Sequence, residues 1–327
     1  MARETIILTR NDVARQIDLA EVIPAIERCL AEFEKGQDLL PPKYIVEFEE
    51  GIAACIFGYT HATRVLSMKL GQERPQNLER GLPSTTSTID LFDPDVGDLL
   101  MIVDGVLPTM YRTAAAAAVA VRHLARDDAE TAAVIGAGQL GRECIRALSI
   151  VRPFGKIFVY DVQKEQAHQV VQSLSQELSV PLETAGVEQA CRQADIICTA
   201  TNSTQTIVQD AWIRPGTHLS CMGADLAAKR ECQMSLLPRC RLFADLVDHC
   251  LQRGEVSQAI EQGRLGRDCF AGSLGQVING QVEGRRSRDE ITLFDAVGLG
   301  VEDTTVTKSI YDQAQEKGLG LRVRING

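Results

Sequence analysis

Apolar positions along the chain follow two regimes that change near residue 113. Across residues 12–35, Val13, Ile17, Val22, Ile26, Leu30 and Phe33 recur at near-helical spacing, with Asn11 as candidate N-cap and Pro24 expected to kink or divide the helix. Strand-like runs follow at residues 43–48, 52–59, 64–70, 87–92 and 98–103, parted by turn signals such as Asp93-Pro94-Asp95 and Val96-Gly97-Asp98. Neighbouring runs joined by short turns predict a mostly antiparallel sheet. From Thr113 the segment TAAAAAVAVRHLA is a strong helix former. Apolar strands then alternate with helical segments at residues 132–135, 157–160, 196–199, 218–222, 242–244 and 291–294, the rhythm of a parallel sheet covered on both faces. A last helix is expected over residues 302–317.

The fold class expected is therefore α/β: a Rossmann-type doubly wound parallel sheet over residues 113–302, and a mostly antiparallel α+β domain over residues 1–112, completed by 303–327. A chain of 327 residues gives each domain enough length for its own core. With 45% hydrophobic and 24% charged residues, neither disorder nor a fibrous repeat is indicated. The net charge of −10 and the lack of a basic run speak against nucleic acid as a partner, although a few cations in a cleft can still recruit an anion. The longest nearly apolar run, residues 113–121, falls well short of the ~20 residues that span a bilayer, so no membrane crossing is expected. MARETIILTRNDV lacks the apolar core of a signal peptide, and ten cysteines occur singly without a C-x-x-C or Cys/His cluster. Reduced thiols, no metal site and a cytoplasmic location are the expectation.

Between the strand at 132–135 and the following helix lies Gly136-Ala137-Gly138-Gln139-Leu140-Gly141, a complete G-x-G-x-x-G. Gly136 permits the tight turn, Gly138 lets the backbone approach a pyrophosphate, and Gly141 lets the helix pack closely on the strand. Free N–H groups at a helix start then bind the phosphates without a charged side chain. The next strand, KIFVYD, ends in Asp161, about where a ribose-binding acid belongs. A carboxylate there accepts from the 2′-hydroxyl and repels a 2′-phosphate, which favours NAD(H) over NADP(H).

Ser67-Met68-Lys69, Arg112-Thr113-Ala114-Ala115, Ile135-Gly136-Ala137-Gly138, Gly223-Ala224-Asp225 with Lys229 and Glu231 close behind, and Thr292-Leu293-Phe294-Asp295 together resemble the ornithine cyclodeaminase/mu-crystallin family across most of the chain. The resemblance implies a dimer-forming sheet domain, a homodimer, and a cleft in which the nicotinamide faces Lys69, Arg112 and Asp225. The residue types suit an amino or imino acid. Arg112 offers a planar two-donor grip to a carboxylate, Lys69 adds a point charge, and Lys43 is a third candidate cation. Asp225, just past HLSCMGAD, is the candidate acid and base for the proton that must accompany hydride transfer at an imine, with an N-cap as its structural alternative. Thr199, Ala200 and Thr201 are expected beneath the cofactor. Asp295 either closes the nicotinamide site or is a buried structural aspartate.

In cyclodeaminases of this family the distal amine of ornithine is met by a glutamate on the strand preceding the lysine, but here that strand reads Ala53-Ala54-Cys55-Ile56-Phe57-Gly58. An ammonium buried without a partner is costly, so the expected chemistry is NAD(H)-dependent reduction of an imine, such as a cyclic ketimine carboxylate, or alanine-type dehydrogenation. Ornithine cyclodeamination and a non-catalytic, mu-crystallin-like binding protein are the alternatives.

Overall fold

The computed structural model describes residues 4–325, with the side chain of Leu78 left aside. The chain begins with β1 (Thr5–Leu8), α1 (Arg10–Ala14), α2 (Leu19–Phe33), β2 (Tyr44–Phe48), β3 (Gly51–Thr60), β4 (Val65–Glu73), β5 (Thr85–Asp93) and β6 (Asp98–Asp104). It continues through α3 (Val106–Leu124), β7 (Thr131–Ile135), α4 (Gln139–Val151), β8 (Lys156–Tyr160), α5 (Lys164–Leu174), β9 (Leu182–Thr184), α6 (Val187–Gln193), β10 (Ile196–Thr199) and β11 (His218–Cys221). The remainder comprises β12 (Cys240–Ala244), α7 (Val247–Arg253), α8 (Ser257–Glu261), β13 (Phe270–Ser273), α9 (Leu274–Ile278), β14 (Ile291–Asp295), α10 (Gly300–Lys317) and β15 (Leu321–Val323). Two units result: Met1–Arg112 with Leu299–Gly327, and Thr113–Gly298.

The first unit holds a seven-stranded sheet in the order β15-β1-β6-β5-β4-β3-β2, antiparallel throughout except for the parallel pair β1 and β6. The helical stretch expected over residues 12–35 is two helices, and its cap is Thr9 rather than Asn11. The Thr9 hydroxyl accepts from the Asp12 amide, and the Asp12 carboxylate accepts from the Thr9 amide at 2.9 Å. The break precedes Pro24, which lies inside α2; Asp18 restarts the helix by accepting from the Ala20 amide at 2.9 Å. Helix α10 packs on β3 and β4 through missing side chains. A Cβ on Gly58 would lie 2.3 Å from the Gly300 carbonyl carbon, and one on Gly300 would lie 2.1 Å from the Phe57 oxygen. The Thr304 hydroxyl donates to the Gly58 carbonyl at 2.9 Å and lies 2.7 Å from the Ser67 hydroxyl.

The second unit holds an eight-stranded sheet, β13-β12-β14-β11-β10-β7-β8-β9, in which every pair is parallel. Strands β10, β11 and β14 are buried along their whole length, as expected where helices cover both faces. Ile135, Phe158, Ile197, Leu219, Leu242 and Leu293 form part of its core. From β7 the chain moves through β8 to β9 on one side, then restarts at β10 on the other. That reversal between β7 and β10 opens a crevice at the strands' carboxyl ends, where open α/β sheets bind ligands. Among the described residues no helix is long and apolar enough to cross a membrane, and no group of His, Cys, Asp or Glu could hold a metal ion. All ten cysteines are free thiols.

Candidate active site

The glycine turn leaves β7 and enters α4 at the reversal point of the parallel sheet. Gly136 has φ of +106°, and a Cβ there would stand 2.5 Å from the Ala200 carbonyl oxygen, so both the backbone and the neighbouring loop require glycine. Gly141 is closer still: a Cβ would fall 1.8 Å from the Gly136 oxygen, which is how the helix comes down onto its strand. Gly138 differs from both. It caps α4 without a side chain, and a Cβ on it would meet nothing within 4 Å, leaving open the approach to the first-turn amides at Gln139 and Leu140. A pyrophosphate fits that cradle, because the amides and the helix dipole point outward where no side chain intervenes. Asp161, just beyond β8, accepts from the Ala137 amide at 2.8 Å and from the Gln163 amide at 2.9 Å. Its carboxylate is thereby fixed against the glycine turn.

The strand ends beyond the turn are held by buried acids. Glu231 Oε1 accepts from the Thr201 amide and hydroxyl, both at 2.8 Å; Oε2 accepts from the Thr199 hydroxyl at 2.6 Å and the Gly223 amide at 3.0 Å. Burial pushes the Glu231 carboxyl upward against those four donors. Glu255 in turn accepts from the amides of Glu231 and Cys232, and its own amide donates to Asp295 at 3.0 Å. Asp295, at the end of β14, is fully buried, with its second oxygen accepting from the Val256 amide at 3.3 Å. Burial and the nearby Asp245 push it up to about 8. Asp295 thus ties an internal loop to the sheet, the structural role named above beside the nicotinamide one. Asp225, by contrast, is partly open to solvent and lies 2.8 Å from Nζ of the largely buried Lys229.

In the sheet-based unit, Lys69 on β4 and Arg112 on α3 meet on one acid. Lys69 Nζ lies 2.6 Å from Asp303 Oδ2, Arg112 Nε donates to Asp303 Oδ1 at 3.1 Å, and Arg112 Nη1 donates to Glu302 Oε2 at 3.1 Å. All four side chains are buried. Burial, Arg112 and Lys43 push the Lys69 ammonium down to about 8 against the attraction of Asp303. Asp303 responds oppositely: burial would raise its carboxyl, but Lys69 and Arg112 outweigh that and hold it below the ordinary range. Lys43, half-buried just ahead of β2, enters through this field. Opposite Lys69 on β3 stands Ile56, with Ala54 opposite Gly71, so the wall beside the ammonium is apolar.

Sequence reasoning paired Lys69 with Arg112 but missed Glu302, Asp303 and the office of Glu231. The only signal for the first two was a pair of acids opening a helix, which ordinarily reads as a solvated complement to the helix dipole.

A profile of the ornithine cyclodeaminase/mu-crystallin family matches residues 3–318. The chain is 30% identical to the iminosuccinate reductase of Paracoccus denitrificans, over 98% of this chain and 100% of that one. Its structure superposes on an archaeal alanine dehydrogenase dimer with bound NAD at a TM-score of 0.94, with 30% identity and coverage of 98% and 99%. It also superposes on the Δ1-pyrroline-2-carboxylate reductase of Thermococcus litoralis, in complex with NADH and L-proline, at a TM-score of 0.95, with 31% identity and coverage of 98% and 100%.

Proposed function

This chain belongs to the ornithine cyclodeaminase/mu-crystallin family and is an NAD(H)-dependent oxidoreductase of small amino or imino acids, and we propose that its favoured reaction is reduction of an imine carboxylate to the amino acid. The observation that carries this reading is the buried Lys69 and Arg112 pair held on Asp303, two cations with an apolar wall beside them. The bound nicotinamide supplies the hydride in one direction and accepts it in the other. The amides from Gly138 to Gly141 would hold the pyrophosphate, Asp161 would hold the ribose, and the loop Thr199-Ala200-Thr201 would support the nicotinamide end. Asp295 acts from behind, through the Glu255 and Val256 amides.

Arg112 and Lys69 grip the substrate carboxylate, and Lys43 adds to the positive potential. Asp225 would supply the proton that the imine nitrogen needs when the bound cofactor supplies hydride, and would take it back in the reverse direction, so that imine, NADH and one proton balance amine and NAD⁺. Lys229 holds that carboxylate in place. Ile56 and Ala54 favour a small side chain or an apolar ring, as in pyruvate-derived imines and five- or six-membered cyclic imino acids. They disfavour ornithine, whose distal ammonium would find no carboxylate on this strand.

A homodimer in the cytoplasm completes the reading. Tyr44, Val46 and Phe48 lie on the edge strand β2 at 61%, 56% and 48% exposure, an apolar edge suited to a second copy, and ten unpaired thiols suit a reducing compartment. The functional test follows NADH absorbance with a cyclic imino acid, or with pyruvate plus ammonia, beside an ornithine control scored for proline. NADH consumption abolished by Lys69→Ala and by Asp225→Asn, with NADH binding kept, is the expected result. Proline formed from ornithine without net NADH change would assign the protein to cyclodeamination.

A further inference from the structure

We propose that Asp303 is a positioning residue for carboxylate recognition, holding the Lys69 ammonium and the Arg112 guanidinium side by side and keeping Lys69 in its charged form. The inference rests on the carboxylate-clamp reading above.

Two buried cations repel unless an anion lies between them, and the burial of each is costly without a partner. Asp303 meets both requirements, with Oδ2 2.6 Å from Lys69 Nζ and Oδ1 3.1 Å from Arg112 Nε. Glu302, one residue earlier, takes the other edge of the guanidinium at Nη1 and also accepts from the Leu299 amide at 3.1 Å. The two acids are 1% exposed. They are therefore not the solvated first-turn acids that serve a helix dipole. Their position is imposed by the close approach of Gly58 to Gly300 and by the Thr304 hydroxyl, which set the first turn of α10 onto β3 and β4. Sheet, α3 and α10 thus converge on one carboxylate.

The groups facing Lys69 are Arg112 and Thr109 from α3, Asp303 from α10, Lys43 from ahead of β2, and the apolar Ile56 and Ile89 from the flanking strands. Asp303 is the charge that most favours the ammonium, with Glu302 beside it on Arg112; burial, Arg112 and Lys43 oppose it, and the balance is about 8. Removing the negative charge lowers that balance. Lys69 would then lose its proton at a lower pH and cease to attract a carboxylate. The limb of kcat/KM that needs charged Lys69 falls as pH rises through the free-enzyme value, so it must move downward in Asp303→Asn.

The experiment measures kcat/KM against pH for 1-pyrroline-2-carboxylate, with pyruvate plus ammonia as second probe, in the full chain at saturating NADH. In Asp303→Asn the alkaline limb is expected to move down by about one pH unit or more, and KM for the carboxylate probe to rise about tenfold, with NADH affinity unchanged. A limb left in place, or an unchanged KM, overturns the proposal. Asp303→Glu keeps the charge, so its limb should stay near the wild-type position; a limb displaced as in the asparagine variant overturns it equally. Should the asparagine variant fail to fold, Lys69→Arg decides, since a guanidinium does not titrate in this range and the wild-type limb should be lost or displaced; a limb left at the wild-type position refutes the assignment. An unchanged KM in Lys69→Ala would sink the clamp reading itself, whereas a raised KM there with none in Asp303→Asn would sink only the role of Asp303.

Discussion

Glu231→Gln isolates the buried carboxylate that ties together the strand ends of the nucleotide half. In the wild type one carboxylate oxygen serves the Thr201 amide and hydroxyl and the other serves the Thr199 hydroxyl and the Gly223 amide, at 2.6–3.0 Å. An amide of the same shape can turn its oxygen to one side only. If it stays with Thr201, its NH₂ faces Thr199 and Gly223. The threonine hydroxyl rotates to accept, but the Gly223 N–H has no such freedom and is left buried and unpaired. Such a group costs about 1–3 kcal/mol, less whatever is regained by no longer burying a charge. In a unit of this size that is a loss of roughly 2–12 °C in unfolding temperature. The same strand ends lie against the glycine turn, with the Ala200 oxygen 2.5 Å from where a Gly136 Cβ would be. Weaker NADH binding should therefore accompany the loss of stability, by about tenfold for each ~1.4 kcal/mol transmitted. Thermal unfolding and an NADH fluorescence titration read the two effects. An unfolding temperature and an NADH affinity both equal to wild type would show that Glu231 does not hold these loops.

Three further outcomes are expected. Asp161→Ser should reduce the preference for NADH over NADPH, read as the ratio of kcat/KM for the two cofactors, because the repulsion of a 2′-phosphate goes with the carboxylate; an unchanged ratio would misplace the ribose. Gly141→Ala sets a Cβ 1.8 Å from the Gly136 oxygen, so α4 must lift from its strand; overpacking of this kind costs about 1–3 kcal/mol or more, and both unfolding temperature and NADH affinity should fall. Asp295 is raised from 3.8 to about 8 by burial, so the folded state holds its proton over a range where the unfolded chain has lost it. The stability this contributes is complete below the unfolded value and disappears as pH rises through the folded one. Between roughly pH 7 and 7.5, above the ordinary range of the buried His218 and below the value of about 8 that Lys69 shares, denaturant stability should drop with rising pH by up to about 1.4 kcal/mol per pH unit for this group, and Asp295→Asn should reduce that slope to the part owed to the raised Glu231 and Glu255 carboxyls.

Local pattern was sufficient for much of this protein. Strand β7, the glycine turn and α4 are legible in sequence because each carries a short-range requirement: an apolar run, a positive φ at Gly136, a helix start without a side chain. The strands of both sheets were legible for the same reason, apart from β1, β9, β13 and β15 at the sheet edges or beside them. The start of α1 was misread because Thr9 and Asp12 cap it reciprocally, a choice between neighbouring polar residues that periodicity does not make. Lys69 and Arg112 stand out in the sequence as candidate cations for a carboxylate, but what holds them does not. Asp303 lies 191 positions from Arg112 along the chain, and its charge is buried only because Gly58 and Gly300 let α10 approach the sheet. Glu231, noticed in the sequence beside Gly223-Ala224-Asp225, shows what it holds only once the parallel register brings the ends of β10 and β11 together around it. Which residues form strands, turns and helices follows from interactions a few positions long. Which charges become buried, and against whom, depends on chain segments that only the folded packing brings within a few ångströms.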